Sequence, residues 1–448
     1  MQLFDYQQSA LDRLQGRKRV AFYHDMGLGK TFTGAQKLLD ETHDHSLVVC
    51  QKSKVQDWVD HFNEEMNTAA IDATTDKGYA HLLSVIIHPH DFAQTVFVIN
   101  YDRIYRRDGL FDYAWGGVIF DESSLLQNPT SKRTKAAMKL AAITDTLILL
   151  SGTPTDGKYE RLWTQLKMLG WTISQKLYMS QYVDTETTMV EGFPVKKIRG
   201  YKQVDRLISK MHDLGCDFLK TSDVLNLPEQ TFITVRCDPT KELKQFRRKG
   251  IVELANGTEI VGDSTFAALT GERMLASAYS PYKLDALKSI LESTSERVVV
   301  FYNFKSECDQ IVALCDLLGK PYCEINGYKH DIIAFDKDEC VCIVQYQSGA
   351  MGLNLQAARY TVYYSPPLSS SLFEQSKKRT HRVGQTQACT YYELLTVGSV
   401  EFDIYKNLEM RRDYTDKLFE KWGYAFGRGK ELRKPDQGVS RNERVLVG

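Results

Sequence analysis

The sequence lacks any apolar run of about 18 residues, the length that a membrane-spanning helix requires, so no membrane span is expected. Its N-terminus also lacks the apolar segment of a secretory signal, which predicts a cytoplasmic protein. Its nine cysteines include no CxxC pair. Buried, reduced thiols are the favoured interpretation, and a zinc site drawing on Cys308, Cys315, Cys323 and His330 is the alternative.

Net charge is also missing, because 57 basic residues balance 57 acidic ones. This balance argues against a protein that binds nucleic acid through bulk charge, although a local basic groove remains compatible with it. Fixed-period repeats and long low-complexity segments are absent as well. The chain has 448 residues, and one hydrophobic core rarely exceeds roughly 250–300 residues, so two domains are expected.

Short apolar runs that alternate with helix-like segments are the main feature present. Such runs predict buried parallel strands covered by helices on both faces, which is an α/β fold with two parallel-sheet lobes. The expected strands are RVAFYH (19–24), SLVVC (46–50), TVFVIN (95–100), GGVIF (116–120), TLILLS (146–151), RVVVFYN (297–303), PYCEI (321–325), CVCIVQY (340–346), YTVYYS (360–365) and TYYELL (390–395).

The domain boundary is predicted between the two alternating blocks, giving lobes at 1–225 and 226–448. Residues 156–220 are mostly polar and predict a helical insertion in the first lobe. A helical protrusion of the second lobe is expected at about 241–280. The basic tail at about 427–448 has few apolar residues, and a flexible state is expected for it.

Residues 25–31, DMGLGKT, lie between an apolar strand and a helix-like segment. That is the context of a phosphate-binding loop, in which Gly27 and Gly29 allow the backbone to approach the phosphates. Lys30 can reach the β- and γ-phosphates, and the Thr31 hydroxyl can ligate Mg²⁺. The sequence therefore predicts an ATP site with a magnesium ion.

Two further patterns fit the same chemistry. Asp121 and Glu122 end a buried strand, where Asp121 can hold Mg²⁺ and Glu122 can polarise the attacking water. Arg379 and Arg382 are three residues apart, so a helix would place them on one face, where they can stabilise charge on the γ-phosphate. Because the arginines belong to the second block, we expect the site to form in the cleft between the lobes.

Together these residues resemble the Swi/Snf family of helicase-like ATPases in superfamily 2. The resemblance runs from about residue 3 to residue 410 and includes several motifs in order. They are LFDYQQSAL, DMGLGKT, VVCQKSKVQDW (48–58), VINYDRI (98–104), DESSLLQN (121–128), LSGTPTDGKYERLW (150–163), VVVFYNFKSE (298–307), SGAMGLNLQAA (348–358), QSKKRTHRVGQ (375–385) and GSVEFDIY (398–405).

The resemblance implies two RecA-like lobes and a DNA-stimulated motor that translocates on double-stranded DNA. It implies that Gln7 reads adenine, that Gln375 opens the arginine motif, and that the motif ending in Trp58 lines the DNA track. Weak sequence preference is expected, since DNA would be held mainly by its phosphates. The DNA contacts expected are Lys52, Lys54, Tyr101 and Thr153 in the first lobe, and Asn303, Lys305 and Asn354 in the second.

Several departures from the family pattern bear on function. Ser123 and Ser124 replace the usual alanine and histidine after the acidic pair, and Ser124 is predicted to substitute by hydrogen bonding. His24 and Asp25 replace the usual acidic pair before the phosphate loop. The compact chain resembles bacterial and bacteriophage members, which predicts a monomer without chromatin-reading segments, in the host cytoplasm if viral.

Three other functions compete with translocation. A strand-separating DNA or RNA helicase would share the same engine, although no obvious wedge hairpin is visible in the sequence. An ATP-driven switch protein would hydrolyse ATP without regard to DNA. A nuclease is disfavoured because no further carboxylate and lysine cluster is present, but a partner nuclease or replication protein is compatible with the motor.

Overall fold

A computed structural model describes residues 3–42, 44–152, 154, 158–190, 193–329, 331, 333–349 and 354–409. The predicted basic tail and His330 lie outside these residues. The chain divides into two compact units, Met1–Leu225 and Asn226–Gly448, called unit 1 and unit 2 below. Within the described ranges, no helix combines the length and apolarity needed to cross a membrane.

Unit 1 is built on a parallel sheet whose described strands number seven, in the order β3-β4-β2-β5-β6-β1-β9. Its inner strands are continuous apolar runs, as expected for strands covered on both faces. The strands are β1 Arg19–His24, β2 Ser46–Cys50, β3 Ala70–Asp72, β4 Val96–Asn100, β5 Gly117–Phe120, β6 Thr146–Leu150 and β9 Cys216–Leu219, with a separate antiparallel hairpin of β7 Val183–Val190 and β8 Phe193–Tyr201.

Helices pack on both faces of this sheet and bury two apolar clusters. They are α1 Asp5–Arg13, α2 Lys30–Glu41, α3 Val55–Asp60, α4 Asp76–Ile87, α5 Tyr101–Ile104, α6 Lys132–Ala142, α7 Trp163–Met168, α8 Gln175–Tyr182, α9 Val204–Asp213 and α10 Thr221–Val224. A π-helical turn at His61–Glu65 and short 3-10 turns, including Ser123–Leu126, complete the unit.

Unit 2 repeats the architecture with a parallel sheet in the order β10-β17-β16-β13-β15-β14. Its strands are β10 Gln230–Cys237, β13 Val298–Tyr302, β14 Tyr322–Ile325, β15 Val341–Gln345, β16 Tyr360–Tyr363 and β17 Cys389–Thr396, with an antiparallel pair of β11 Ile251–Glu253 and β12 Glu259–Val261. The helices are α11 Lys241–Lys249, α12 Thr265–Ala276, α13 Pro281–Glu292, α14 Lys305–Leu318, α15 Tyr346–Gly349, α16 Ser370–Thr380 and α17 Glu401–Glu409.

The predicted fold class, α/β with two parallel-sheet lobes, is confirmed. The predicted helical character of 156–220 is wrong in part, because this segment contains the β7–β8 hairpin and ends in β9. The hairpin strands are polar and largely exposed, so they lack the apolar run that marks a buried strand. The second predicted helical segment, 241–280, contains α11 and α12 but also the β11–β12 pair.

The nine cysteines are all buried and none forms a disulfide. Within the part of the chain that the structure describes, no group of three or more histidine, cysteine or acidic side chains is arranged to hold a metal ion. Burial raises the pKa of several of these thiols, and that of Cys237 rises to about 11. The thiols whose pKa is raised in this way are therefore protonated at neutral pH.

A buried carboxyl in α12 makes the stability of unit 2 depend on pH. Glu272 is 0% exposed, accepts a hydrogen bond from the Val400 amide at 2.8 Å and faces Arg247. Burial raises its pKa to about 7 from 4.5, against the effect of Arg247. Because the folded-state pKa is raised, the stability that this carboxyl contributes is greatest below pH 4.5 and is lost as pH rises through 7, about 3 kcal/mol in total.

Glu272→Gln keeps the acceptor for Val400 but removes this titration. We therefore expect the variant to gain stability relative to the native chain as pH rises from about 5 to 8. Urea denaturation midpoints measured across that range test the expectation, with Glu259→Gln at an exposed position as the control. A constant difference between Glu272→Gln and the native chain at every pH would contradict it.

Candidate nucleotide site

The predicted nucleotide residues of unit 1 follow three neighbouring strands. Strands β5, β6 and β1 are adjacent and parallel, so their carboxyl ends lie at one edge of the sheet. The phosphate loop follows β1, the acidic pair follows β5, and the loop that begins at Ser151 follows β6. Ligands of open α/β sheets bind at this edge, so the topology brings the three segments together there.

The phosphate loop has the backbone that its glycines predict. Gly27 and Gly29 have φ angles of 85° and 66°, in the left-handed region that side chains disfavour. Gly29 caps α2, so Lys30 and Thr31 are the first two residues of that helix. The Lys30 Nζ donates to the carbonyl oxygens of His24 at 3.0 Å and Asp25 at 3.2 Å, which holds the amine over its own loop.

Gln7 supports the phosphate loop directly. Its Nε2 donates to the carbonyl oxygens of Leu28 at 3.1 Å and Gly29 at 3.2 Å, and its Oε1 accepts from the Phe4 amide at 3.0 Å. A Cβ at Gly29 would collide with this amide nitrogen, so the close approach requires glycine. Gln7 is buried with its donors engaged by the loop, and its contact with adenine stays a prediction.

The acidic pair is held in place by an unusual backbone and by a buried indole. Glu122 has a φ of 50°, in the left-handed region. The Oδ2 of Asp121 accepts from the Trp58 Nε1 at 3.0 Å, and its Oδ1 accepts from the Glu122 amide at 3.0 Å. Burial raises the pKa of Asp121, while the Trp58 bond and the nearby Lys30 charge act in the opposite direction.

Trp58 itself is 1% exposed, so the prediction that the motif ending there lines a DNA track is wrong for this side chain. Instead, Trp58 holds the Asp121 carboxylate in place through its hydrogen bond. The sequence gives no sign of this role, because Trp58 and Asp121 are 63 residues apart.

The unit 1 residues fit a magnesium nucleotide. Asp121 and the half-buried Thr31 offer the oxygen ligands that Mg²⁺ prefers. A Cβ at Gly152 would lie 2.9 Å from the Met26 Cγ and 3.4 Å from the Lys30 Nζ, so glycine there lets the loop after β6 lie close to the phosphate loop. Lys30, Thr31 and Asp121 would hold the group, and the bound ion would neutralise charge on the phosphate oxygens.

His24 anchors the entry to the phosphate loop, a role that its sequence position did not reveal. It is fully buried, and its Nε2 donates to the Asp217 Oδ2 at 2.7 Å. Arg13 donates twice to the same carboxylate, at 2.7 and 2.9 Å. Burial lowers the pKa of His24, whereas for Asp217 the bonds from His24 and Arg13 outweigh burial and lower its pKa. A neutral histidine therefore ties β1 to β9.

The hydrogen bond predicted for Ser124 is made instead by Ser123, so the prediction of Ser124 as the bonding serine is wrong. Ser123 is fully buried, and its Oγ donates to the Gln165 Oε1 at 2.9 Å. The left-handed backbone of Glu122 starts the 3-10 turn and directs Ser123 inward. The half-buried Ser124 hydroxyl has no hydrogen bond to a described residue.

The predicted arginines lie in unit 2 but not on one helix face, because α16 ends at Thr380. Arg379 is in the helix and 9% exposed, whereas Arg382 lies beyond its end. The Arg382 Nη1 donates to the Asn354 Oδ1 at 2.6 Å. The Gln375 Nε2 donates to the Ser371 Oγ at 3.2 Å, within the same helix.

The predicted DNA contacts of unit 1 differ in their exposure. Lys52 is exposed, and Lys54 forms an ion pair with Asp57 at 2.5 Å. Tyr101 is 2% exposed and its hydroxyl donates to the Asp121 carbonyl at 2.6 Å, so the prediction that it touches DNA is wrong. Thr153 lies outside the described residues.

In unit 2, the side-chain amide of Asn303 forms hydrogen bonds within the protein. Its Nδ2 donates to the Ser365 carbonyl and hydroxyl oxygens, at 3.2 and 2.8 Å, and to the Pro366 carbonyl at 3.0 Å. These bonds join the end of β13 to the segment after β16. Lys305, the first residue of α14, and Asn354 are both exposed.

A phosphate loop after β1, an acidic pair after β5 and a second parallel-sheet unit define a helicase-like ATPase. Two family profiles match the sequence in order: the SNF2-related domain matches residues 6–278, and the helicase conserved C-terminal domain matches 282–384. The chain therefore belongs to the SNF2-related family and is an ATP-hydrolysing, helicase-like enzyme. The Swi/Snf resemblance is confirmed.

Similar proteins are larger than this chain. It is 25% identical over 402 residues to the Xenopus laevis SWI/SNF-related matrix-associated actin-dependent regulator of chromatin subfamily A-like protein 1, covering 86% of this chain and 40% of that protein. It is 21% identical over 455 residues to human DNA excision repair protein ERCC-6, and this match covers 90% of this chain and 30% of that protein. The chain thus spans less than half the length of these relatives.

Among solved structures, the Sulfolobus solfataricus SWI2/SNF2 ATPase core in complex with dsDNA is similar at 18% identity. The match covers 95% of this chain and 94% of that one, with a TM-score of 0.45.

Proposed function

We propose that the chain is a motor that uses ATP hydrolysis to translocate on double-stranded DNA without sequence preference. The observation that supports it most is the convergence of the phosphate loop, the acidic pair and the Ser151 loop at one edge of the unit 1 sheet. The chain belongs to the SNF2-related family, and we infer that this site couples hydrolysis to movement along a polymer.

Within this proposal, each side chain of unit 1 has one task. Lys30 binds the β- and γ-phosphates, Thr31 and Asp121 hold Mg²⁺, and Glu122 polarises the attacking water. Arg379 and Arg382 of unit 2 stabilise the charge that develops on the γ-phosphate. Because these groups belong to different units, the mechanism requires both units to act on one nucleotide.

The polymer contacts are proposed at exposed polar side chains in the segments that follow strands. Lys52 follows β2, the neighbour of β5, and so belongs to the same edge as the acidic pair. In unit 2, Lys305 and Asn354 are exposed and follow β13 and β15. Phosphate contacts of this kind position a duplex without reading its bases, which supports movement independent of sequence.

A strand-separating helicase is the second candidate, and one observation favours it. The antiparallel hairpin of β7 and β8 was not expected from the sequence, and its described side chains are largely exposed. A two-stranded ribbon of this kind can act as a wedge between separating strands. Translocation remains the proposal because the described aromatic side chain of this hairpin, Tyr201, packs against Tyr159 and donates to the Glu160 carboxylate instead of facing solvent where an unpaired base could stack.

ATPase turnover with different polymers tests the proposal. We expect duplex DNA to stimulate turnover more than single-stranded DNA or RNA, and the stimulation to weaken as salt rises. We also expect displacement of a third strand from a triplex without separation of the underlying duplex. Equal turnover with and without any polymer would favour an ATP-driven switch, and unwinding of a forked duplex would favour the helicase.

A further inference from the structure

One buried amide in unit 1 bonds to the strand that leads into the phosphate loop, to the residue that follows the acidic pair and to the loop after β6. Gln165 lies in α7 and is 0% exposed. Its Oε1 accepts from the Tyr23 hydroxyl at 3.0 Å and from the Ser123 Oγ at 2.9 Å. Its Nε2 donates to the Pro154 carbonyl at 2.9 Å. A carbonyl oxygen accepts two hydrogen bonds, so Oε1 is fully used.

The three partners have distinct places in the site. Tyr23 precedes His24, whose carbonyl receives the Lys30 amine. Ser123 directly follows Glu122, the proposed activator of water. Pro154 lies in the loop after β6, two residues beyond Gly152. A change at the acidic pair can therefore reach this loop through one side chain.

Core packing alone does not account for an amide at this position. Its neighbour Leu166 is fully buried in the apolar cluster of unit 1, and a leucine would also fill the volume of Gln165. Burying an amide is unfavourable unless its polar atoms are hydrogen-bonded, which makes all three bonds structurally necessary. Thr164 adds a further anchor, since its hydroxyl donates to the Leu126 carbonyl in the same 3-10 turn as Ser123.

The backbone at the acidic pair gives this connection a consequence. A left-handed φ at a residue other than glycine persists only where the surrounding structure enforces it, and Glu122 has a φ of 50°. The bond from Ser123 to Gln165 fixes the residue that follows. A shift of Glu122 on nucleotide binding would therefore pull on Gln165 and, through its Nε2, on Pro154.

We propose that Gln165 is a positioning residue that couples the nucleotide state of the acidic pair to the loop after β6. It performs the task for which the family pattern has a histidine at the position of Ser124. The inference rests on the proposed function for its consequence, since that loop contains Thr153, a predicted DNA contact. The coupling between the two segments is a property of unit 1 and requires no DNA.

The direct test is amide hydrogen exchange of the full chain with and without a non-hydrolysable ATP analogue and Mg²⁺. In the native chain, the analogue should slow exchange in peptides covering 146–158. Gln165→Leu and Ser123→Ala should bind the analogue with unchanged affinity but show no such slowing. Tyr23→Phe is the matched control, because it removes one bond to the same Oε1 outside the link between Ser123 and Pro154.

Turnover provides the second readout. With duplex DNA, kcat of Ser123→Ala should fall about tenfold, as expected for one lost buried hydrogen bond, and kcat of Gln165→Leu, which loses three, should fall at least as much, with KM for ATP unchanged in both. A native exchange response in both variants would overturn the inference, as would its loss in Tyr23→Phe or its absence in the native chain. If duplex DNA fails to stimulate the native chain, the proposed function fails, while the exchange results still decide the coupling. Should Gln165→Leu not fold, Ser123→Ala alone decides.

Discussion

Replacing Lys30 with alanine should abolish ATP hydrolysis while leaving unit 1 folded. The Lys30 amine bonds to the carbonyl oxygens of His24 and Asp25, within its own loop. Its side chain is half-buried at the edge of the sheet and is not part of either apolar cluster. The loss therefore removes the positive charge that meets the phosphates without opening a cavity in the core.

The expected size of this effect follows from the role of the charge. Removing one group that stabilises developing negative charge in a water-poor site lowers turnover by about a hundredfold or more. Phosphate release measures turnover, and circular dichroism checks the fold. Lys176→Ala, which removes an exposed charge from α8 of the same unit, should keep the native rate. Hydrolysis at the native rate by Lys30→Ala would show that DMGLGKT does not hold the nucleotide.

The strands and loops that could be predicted from sequence share a physical property. Strands such as β2 and β4 are buried on both faces of a parallel sheet, so each is a continuous apolar run. The phosphate loop could be recognised because its glycines and lysine are adjacent in the chain. Its chemistry depends on local backbone conformation, which a local pattern can specify.

The missed elements lack that local signature. The strands β7 and β8 are polar and largely exposed, and the Phe218 side chain of β9 is 37% exposed. None of these three strands therefore forms a buried apolar run. The bond between His24 and Asp217 spans 193 residues, and the one between Ser123 and Gln165 spans 42. Periodicity predicts that such residues are buried but not which partner each one meets. For the same reason, the inward turn of Ser123 could not be distinguished from that of Ser124.

The burial of Tyr101 and the end of α16 at Thr380 show a second limit of prediction from sequence motifs. A motif places a residue near a site but does not tell on which side of the backbone the side chain lies. Tyr101 follows β4 at the expected edge, yet its hydroxyl bonds to the Asp121 carbonyl inside the unit. Arg379 and Arg382 have helical spacing, but the helix ends between them, so each arginine has its own surroundings.

Those surroundings make Arg382 the more informative arginine to replace. Its Nη1 bonds to Asn354, and its Nε is buried without a hydrogen-bond partner among the described residues. Burial lowers the pKa of Arg382, but a guanidinium stays charged at neutral pH. A charged group held in this way is partly ordered before any phosphate arrives, which reduces the entropy lost when it binds one.

Arg382→Ala should therefore lower kcat by about a thousandfold while changing ATP affinity only a few-fold, since arginine fingers contribute roughly 10³–10⁵ to turnover. Single-turnover hydrolysis and binding of a fluorescent ATP analogue measure the two quantities separately. Arg248→Ala, which removes an exposed arginine from α11 of the same unit, is the matched control and should leave both unchanged. If Arg382→Ala hydrolysed ATP at the native rate, unit 2 would not supply this arginine to the nucleotide held by Lys30. An equal loss of affinity and turnover would instead assign Arg382 to binding of the ground state.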